Sequence, residues 1–347
     1  MKDRDNGTPE LGRTQSSEVS ELAKSGTNAI VGSDGIDRRN FLSCMAWAGT
    51  GLLWTMAGGV PTSKLFAATA DAAAKTARGA GSFSFVQISD SHIGFNKAAN
   101  QDVAGTLKLA LDKINALPSA PDLLLHTGDI THGAKAAEFD AAQELIKGVK
   151  VGERFYVPGE HDTASDDGAL YKERFGQTPM GKTLGSGWYS FTHKGVHFIG
   201  LNNCLQIDAL GKLGAEQLRW LRQDLAALSA STPIVIFAHI PLWMVYPEWG
   251  WGTEDGAEAL SYLKRFGSVT VLNGHIHQVV QKVEGNVAFH TAMSTAFPQP
   301  APGSAPHAGP MVVPAGKLKS VLGIAEVRYI ARQSHLALVD SPLGAEV

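Results

Sequence analysis

Twelve histidines are spread along the 347 residues of the chain, and several stand beside carboxylates in short polar clusters. The clusters are Asp90-Ser91-His92, Gly128-Asp129, Gly159-Glu160-His161-Asp162, Ala238-His239 and Gly274-His275-Ile276-His277. Carboxylate and neutral imidazole are donors that divalent manganese, iron, zinc and nickel accept. In Asp-x-His and His-x-His the two donors share a face if the chain is extended, because strand residues two apart point the same way. Glycine before Asp129, Glu160 and His275 lets the backbone turn sharply beside a crowded site. The candidate ligands Asp90, His92, Asp129, Glu160, His239, His275 and His277 are too many for one ion and suit two. Each cluster taken singly has an ordinary explanation, such as a packed histidine, a turn aspartate or a surface loop. Five of them, each placed where an apolar run stops, are hard to produce by packing alone.

The apolar runs that precede the clusters read as strands. Residues 84–89, 122–126 and 154–157 are short buried strands, separated by helical patterns at 103–117, ended by Pro118, and at 136–149. Such alternation is the mark of an α/β sheet. Two further strands, 188–192 and 196–201, form a hairpin across Lys194-Gly195. A helix over 215–228 carries Leu218, Leu221, Leu225 and Leu228 on one face. Then follow a strand at 233–238, a helix at 253–266, a strand at 269–273, and antiparallel strands within 279–291 and 323–339. Residues 298–314, rich in Pro, Gly and Ala, hold no regular element. Ligands of open α/β sheets bind beyond the carboxyl ends of the strands, so five clusters at five such ends can converge.

The first eighty residues read as an address. Residues 1–36 are polar, Asp37-Arg38-Arg39-Asn40-Phe41-Leu42 follows, and residues 43–63 carry no charge. Ala68-Thr69-Ala70 and Ala70-Asp71-Ala72 then offer small residues for cleavage. The arginine pair resembles a twin-arginine export signal, which makes the twin-arginine machinery a partner and 81–347 the functional domain. Retention of 41–63 as a single membrane anchor is the alternative. Either way the body is expected outside the cytoplasm, periplasmic or extracytoplasmic, with no stable membrane partner. The net charge of −3 leaves no basic footprint for duplex nucleic acid or a polybasic membrane patch. Cys44 and Cys204 are too few for a disulfide framework or a cysteine zinc motif, and Cys204 is expected as a small core residue.

The ordered clusters resemble the signature of the calcineurin-like metallophosphoesterases, D-x-H, G-D, G-N-H-D/E, H and G-H-x-H, from about residue 84 to at least 290. The resemblance implies a four-layer αββα sandwich, two mixed β-sheets flanked by helices. It implies one metal on Asp90, His92 and His277, a second on Glu160, His239 and His275, and Asp129 bridging them. A hydroxide between the metals would attack the phosphorus of a small-molecule phosphate ester. His161 would donate a proton to the leaving oxygen or stabilise charge, with Asp162 orienting its imidazole. The stretch Gly128-Asp129-Ile130-Thr131-His132 lacks the tyrosine of purple acid phosphatases and is closer to the bacterial class III cyclic-nucleotide phosphodiesterase-like branch. His132 itself is expected as a solvent-facing loop residue.

In one place the chain departs from that signature: Glu160 stands where the family carries asparagine. Two divalent ions against Asp90, Asp129 and a hydroxide leave about one positive charge, and Glu160 brings this to about zero. One charge at about 4 Å and an effective dielectric near 20 is worth about 4 kcal/mol before compensation. A less positive centre favours a monoanionic diester over a dianionic monoester; the extra carboxylate would also suit ferric iron at one position, among manganese, iron, zinc or similar ions. An exported phosphomonoesterase and a catalytically silent, metal-containing phospho-ligand binding protein are the competing readings. The aromatic loop carrying Trp243, Trp249 and Trp251 is read as folding onto its own hydrophobic cluster rather than stacking on a substrate base or sugar. His290 and His307 have no assigned role.

Overall fold

Most of the strands are apolar at consecutive positions because each sheet is covered on both faces. In the computed structural model, residues 55–57, 60–62, 81–176, 187–205, 207, 209–330 and 335–344 are described. The arginine pair and the small-residue cleavage motifs lie outside the described residues, whose earliest segment is a short antiparallel ribbon of Thr55–Ala57 with Val60–Thr62. No helix among the described residues is long and apolar enough to cross a membrane.

The chain runs β1 (Phe83–Ile88), α1 (Val103–Asn115), β2 (Leu123–His126), α2 (Ala136–Lys147), β3 (Glu153–Tyr156), α3 (Glu160–Thr163) and α4 (Ala169–Phe175). It continues with β4 (Tyr189–His193), β5 (Val196–Gly200), α5 (Gly214–Ala226), β6 (Ile234–Phe237), α6 (Gly256–Ser261), β7 (Val269–Asn273), β8 (Gln281–Glu284) and β9 (Val287–Thr291). The last elements are α7 (Leu318–Val321), β10 (Gly323–Ile330) and β11 (His335–Pro342). One sheet has the order β11-β10-β1-β2-β3, the other β8-β9-β7-β6-β5-β4. In the first, β1, β2 and β3 are parallel and β10 and β11 antiparallel. In the second, β5, β6, β7 and β9 are parallel, and β4 and β8 are antiparallel edges.

Alternation along the strands sorts the core into three apolar layers. Phe83 and Phe85 of β1, Leu123 and Leu125 of β2, and Val235 and Phe237 of β6 fill the space between the sheets. There Phe155 stacks on Phe191, with ring centroids 3.8 Å apart. Val86, Ile88 and Leu124 face α1 and α2 instead, and Ile234 and Ile236 face α5 and α6. The result is the four-layer αββα sandwich. Helix α1 begins at Asp102, whose carboxylate accepts the Gly105 N–H at 2.8 Å, a regular N-cap. Its buried residues Val103, Leu107, Ala110, Leu111 and Ile114 recur at helical spacing.

Two local expectations change. The helix anticipated over 253–266 shrinks to α6, because the residues before it are spent on neighbouring loops. The Thr253 hydroxyl accepts the Asn203 amide N–H at 2.9 Å, and the Asp255 carboxylate accepts the Leu213 and Gly214 N–H groups. Strand β9 is antiparallel to β8 as expected, but it also runs parallel to β7. The five clusters follow β1, β2, β3, β6 and β7, whose carboxyl ends meet at one edge of the sandwich.

Candidate metal centre

The backbone at that edge is not extended. Asp90 (φ 54°), His92 (φ 42°), Asp129 (φ 51°), His275 (φ 71°) and His277 (φ 55°) all lie in the left-handed region. Each such residue costs of order 1–3 kcal/mol unless its surroundings hold it, and such strain clusters at functional sites. Paired donors therefore converge through repeated left-handed residues, not through the shared face of a strand. Hydrogen bonds hold the turns: Asp90 N–H donates to the Gly128 carbonyl at 3.0 Å, His92 N–H to Asp129 at 2.9 Å, and Gly274 N–H to His239 at 2.9 Å. Two glycines are required by close approach. A Cβ on Gly159 would stand 2.0 Å from Asp129 Oδ1, and one on Gly274 2.0 Å from Ser89 Oγ.

These turns bring all seven candidate ligands together. Asp90 Oδ1 lies 3.3 Å from His277 Nε2, and His92 Nε2 lies 3.2 Å from the same nitrogen. A few ångströms away the Glu160 carboxylate is 2.9 Å from His239 Nε2 and 2.9 Å from His275 Nδ1. Asp129 Oδ2 stands between the two groups, 3.5 Å from His92 Nε2 and 3.4 Å from His239 Nε2. In each of the sets Asp90/His92/His277 and Glu160/His239/His275, the donor atoms lie within 4.8 Å of one another.

The donor set fits cations better than it fits itself. Buried polar atoms are nearly always hydrogen-bonded, yet Glu160 Oε2, His239 Nε2 and both His275 ring nitrogens form no hydrogen bond of good geometry, although the Glu160 carboxylate stands 2.9 Å from His239 Nε2 and His275 Nδ1. The far nitrogens are provided for: His239 Nδ1 donates to the Thr127 carbonyl at 2.6 Å and His277 Nδ1 to the Phe297 carbonyl at 2.5 Å. Those bonds put the proton on Nδ1 and turn the Nε2 lone pair inward, the arrangement of a metal-bound imidazole. Burial, with His277, His161 and His132 as neighbours, pushes His92 well below its usual value, which favours its neutral form. Burial raises Glu160, but the His275 and His239 imidazoles outweigh it and hold the carboxyl well below the usual range. Burial lowers His239, but the Asp129 and Glu160 carboxylates outweigh it and raise the imidazole well above its usual value. A proton there occupies the place that a bound cation would take.

His161 sits at the rim of this cluster. Its backbone N–H donates to Asp129 Oδ1 at 2.9 Å, and its ring Nδ1 donates to the His132 carbonyl at 2.8 Å, which leaves Nε2 for a substrate. Burial opposes a charge on this ring, but Asp129, Glu160 and the His132 carbonyl raise its pKa above the usual value. Asp162, expected to orient the imidazole, is occupied elsewhere. Its carboxylate accepts the N–H groups of Ile130 (3.0 Å), Thr131 (2.8 Å) and Gly159 (2.9 Å) and the Thr131 hydroxyl (2.9 Å). It thus ties the loop after β2 to the loop after β3, and burial together with Asp129 pushes it up to about 6.

His132 is not the solvent-facing loop residue the sequence led us to expect. Its ring stacks on His161, with centroids 4.7 Å apart and planes 19° apart, and its Nδ1 lies 3.3 Å from His92 Nδ1. The only sequence signal for it was its spacing three residues after Asp129. The carbonyls of Thr127, His132 and Phe297 carried no signal at all, since any residue type supplies them. The aromatic loop does fold onto itself. Trp243 packs on Phe289 at 4.7 Å, and Trp251, 1% exposed, meets Trp249 edge-on. Cys204 is a buried free thiol. His290 pairs with Asp340 at 3.0 Å and His307 is exposed, both apart from the cluster. The segment after residue 297 is fastened to the last motif, because the Gln299 amide donates to the His275 carbonyl at 2.8 Å.

Comparison with known proteins agrees with this geometry. A probable glycerophosphodiester phosphodiesterase of Arcobacter nitrofigilis is 27% identical over 219 residues, 60% of this chain and 77% of that protein. A probable cyclic nucleotide phosphodiesterase of Vesicomyosocius okutanii is 26% identical over 62% of this chain and 87% of its own length. Among solved structures, a dimetal phosphatase from Danio rerio shares the fold with a TM-score of 0.54 at 16% identity, over 75% of this chain and 96% of that one. A purple acid phosphatase from yellow lupin seeds does so with a TM-score of 0.55 at 14% identity, over 76% of this chain and 52% of its own. Residues 83–279, from β1 to just past the last histidine cluster, match the model of the calcineurin-like phosphoesterases; the chain belongs to that family, whose members hydrolyse phosphate esters.

Proposed function

We propose that the protein is a phosphodiesterase that works with two divalent metal ions. The observation that carries this reading is the convergence of two donor sets, Asp90/His92/His277 and Glu160/His239/His275, on adjacent points with Asp129 between them. Asp90, His92 and His277 would hold one ion, and Glu160, His239 and His275 the other, with Asp129 shared. Such a pair of ions supplies an activated water and neutralises the phosphate oxygens during in-line displacement. His161 keeps a proton at the rim and delivers it to the leaving oxygen, its ring held in place by the His132 carbonyl. Asp162 positions the two loops that carry Asp129 and His161.

Glu160 favours the diester. Its carboxylate lies among the imidazoles of the second position and lowers the positive charge that a dianionic monoester would need. The two bacterial relatives described above bear phosphodiesterase names, while a Danio rerio relative at 26% identity is named a serine/threonine-protein phosphatase. The ions would be manganese, iron, zinc or similar, with ferric iron suited to the position that Glu160 completes. The arginine pair Arg38-Arg39 supports export by the twin-arginine route and action outside the cytoplasm.

The test is hydrolysis of bis(p-nitrophenyl) phosphate by the manganese-loaded chain, beside metal-stripped protein and His161→Ala. Turnover lost in both controls is the expected result. Two bound metals with hydrolysis of p-nitrophenyl phosphate alone would replace the diesterase reading by a monoesterase one. Two bound metals with no turnover on either ester would leave a phospho-ligand binding protein.

A further inference from the structure

We infer that His132 is a positioning residue of the centre: it accepts the outward proton of His92 and so fixes the tautomer that presents His92 to the first metal position. The inference rests on the two-metal reading above. An imidazole that binds a metal through one nitrogen must carry its proton on the other, and that proton needs an acceptor to lock the ring. His239 uses the Thr127 carbonyl and His277 the Phe297 carbonyl. Among the described residues the His92 ring has no such carbonyl partner. Its Nε2 faces the cluster, 3.2 Å from His277 Nε2 and 3.5 Å from Asp129 Oδ2. Its Nδ1 faces outward, 3.3 Å from His132 Nδ1.

One of those two Nδ1 atoms must donate and the other accept. A neutral imidazole has one N–H. With the His92 lone pair turned to the cluster, His92 Nδ1 carries the proton, so His132 Nδ1 accepts and His132 is protonated on Nε2. The accepting ring is packed by two others, and the backbone that carries it is fixed. It stacks on His161 and meets Phe95 edge-on at 5.1 Å. Its backbone N–H donates to the Ile93 carbonyl at 2.9 Å, and the next residue, Gly133, donates to Glu138 Oε2 at 2.8 Å. Phe297 closes the far side of His92, stacked at 4.7 Å. The ring of His132 and its backbone carbonyl therefore make separate hydrogen bonds: the ring to His92, and the carbonyl to His161.

That separation makes the inference testable, because a side-chain substitution removes the first bond and leaves the second. The full-length protein, stripped of metal, is dialysed against graded Co²⁺ and its metal content measured for wild type, His132→Ala, His132→Phe and His132→Asn. His275→Ala is added as a background that isolates the first position. Loss of an outer partner lowers metal affinity about 10–100-fold, so Ala and Phe should bind the first-position ion that much more weakly. Asn places an amide oxygen close to where Nδ1 stood and should stay within a few-fold of wild type. Turnover of the Ala variant should recover with excess metal, whereas His161→Ala should not recover. Wild-type affinity in both Ala and Phe would overturn the inference, as would an Asn variant as weak as Ala. Activity that excess metal fails to restore would also overturn it, since the ring would then act on substrate directly. A wild-type protein that binds no pair of ions would instead bring down the two-metal reading on which the inference stands.

Discussion

At the carboxyl ends of β1, β2, β3, β6 and β7, carboxylates and imidazoles are buried face to face and several of their polar atoms have no partner. At the amino end of β2 a carboxylate is treated differently. Asp122 Oδ2 accepts the Ser84 N–H at 3.2 Å, and Oδ1 takes a short hydrogen bond from Lys194 Nζ with His193 Nε2 at 3.4 Å. Lys194 lies in the β4–β5 turn of the opposite sheet, so this pair joins the two sheets at the end remote from the site. Left-handed residues occur at both ends. At the remote end they are Lys194 and Gly195 in a two-residue hairpin turn that demands them, whereas at the site end they are ligand candidates that no turn type explains. At the remote end the carboxylate is opposed by a cation of the protein's own, Lys194; at the site end carboxylates and imidazoles gather with no lysine or arginine among the donor sets. Function and stability are thus assigned to opposite ends of the same strands, and substitutions at the two ends should separate them.

The largest effect belongs to the rim. His161→Ala should lower turnover about 10²–10⁴-fold, the usual worth of a positioned proton donor, with metal content and unfolding midpoint close to wild type. Steady-state kinetics beside metal analysis checks this; unaltered turnover would remove the proton donor from the site end. Asp162→Ala follows. It deprives three backbone N–H groups and a hydroxyl of their acceptor, a loss of about 2 kcal/mol after relief of the repulsion with Asp129 is allowed for. Denaturant unfolding of the metal-free protein measures it. A loss no greater than that of a surface carboxylate would mean the two loops are held by other contacts. Glu160→Asn should be smaller still. It restores a neutral oxygen donor and should raise the ratio of monoester to diester turnover about tenfold, roughly 1.4 kcal/mol. An unchanged ratio would show that the charge of Glu160 does not select the substrate.

Much of this arrangement is legible in the sequence. The pattern of Leu123-Leu124-Leu125 between polar residues announces a strand covered on both faces, and the five clusters stand at ends that the sandwich does bring together. Short elements escaped. Helices α3 and α4 are 4 and 7 residues long, too short for an apolar period to show. The reason offered for convergence also failed: Asp and His adopt left-handed geometry more readily than most residues, but which of them do so here is set by tertiary hydrogen bonds such as that of His275 N–H to Asp90. Partner choice was the least legible part. Asp162 is adjacent to His161 in sequence but bonds to the β2 loop, while the ring orienter, the His132 carbonyl, lies 29 residues away. Backbone acceptors leave no trace in a sequence, so the supports of His161, His239 and His277 could not be read from it.

The smallest effect tests the remote end. Asp122→Asn keeps an acceptor for the Ser84 N–H and removes the charge opposite Lys194. The pair is partly solvated, with side-chain exposures of 27% for Asp122 and 40% for Lys194, so the loss should be about 0.5–1 kcal/mol at neutral pH. Burial raises the Asp122 pKa, but the Lys194 hydrogen bond, the Ser84 N–H and the Lys194 charge outweigh it and lower it from 3.8. A carboxyl lowered in the folded state stabilises above its unfolded pKa and ceases to do so as pH falls through the folded one. The difference between wild type and Asp122→Asn should therefore be full at pH 7 and close as the pH drops below about 3.8, with diester turnover at pH 7 the same in both proteins. Urea unfolding at both pH values and one kinetic assay decide it. A variant that loses turnover without losing stability would mean that the remote pair sets the spacing of the sheets at the site, and the two ends would no longer be separable.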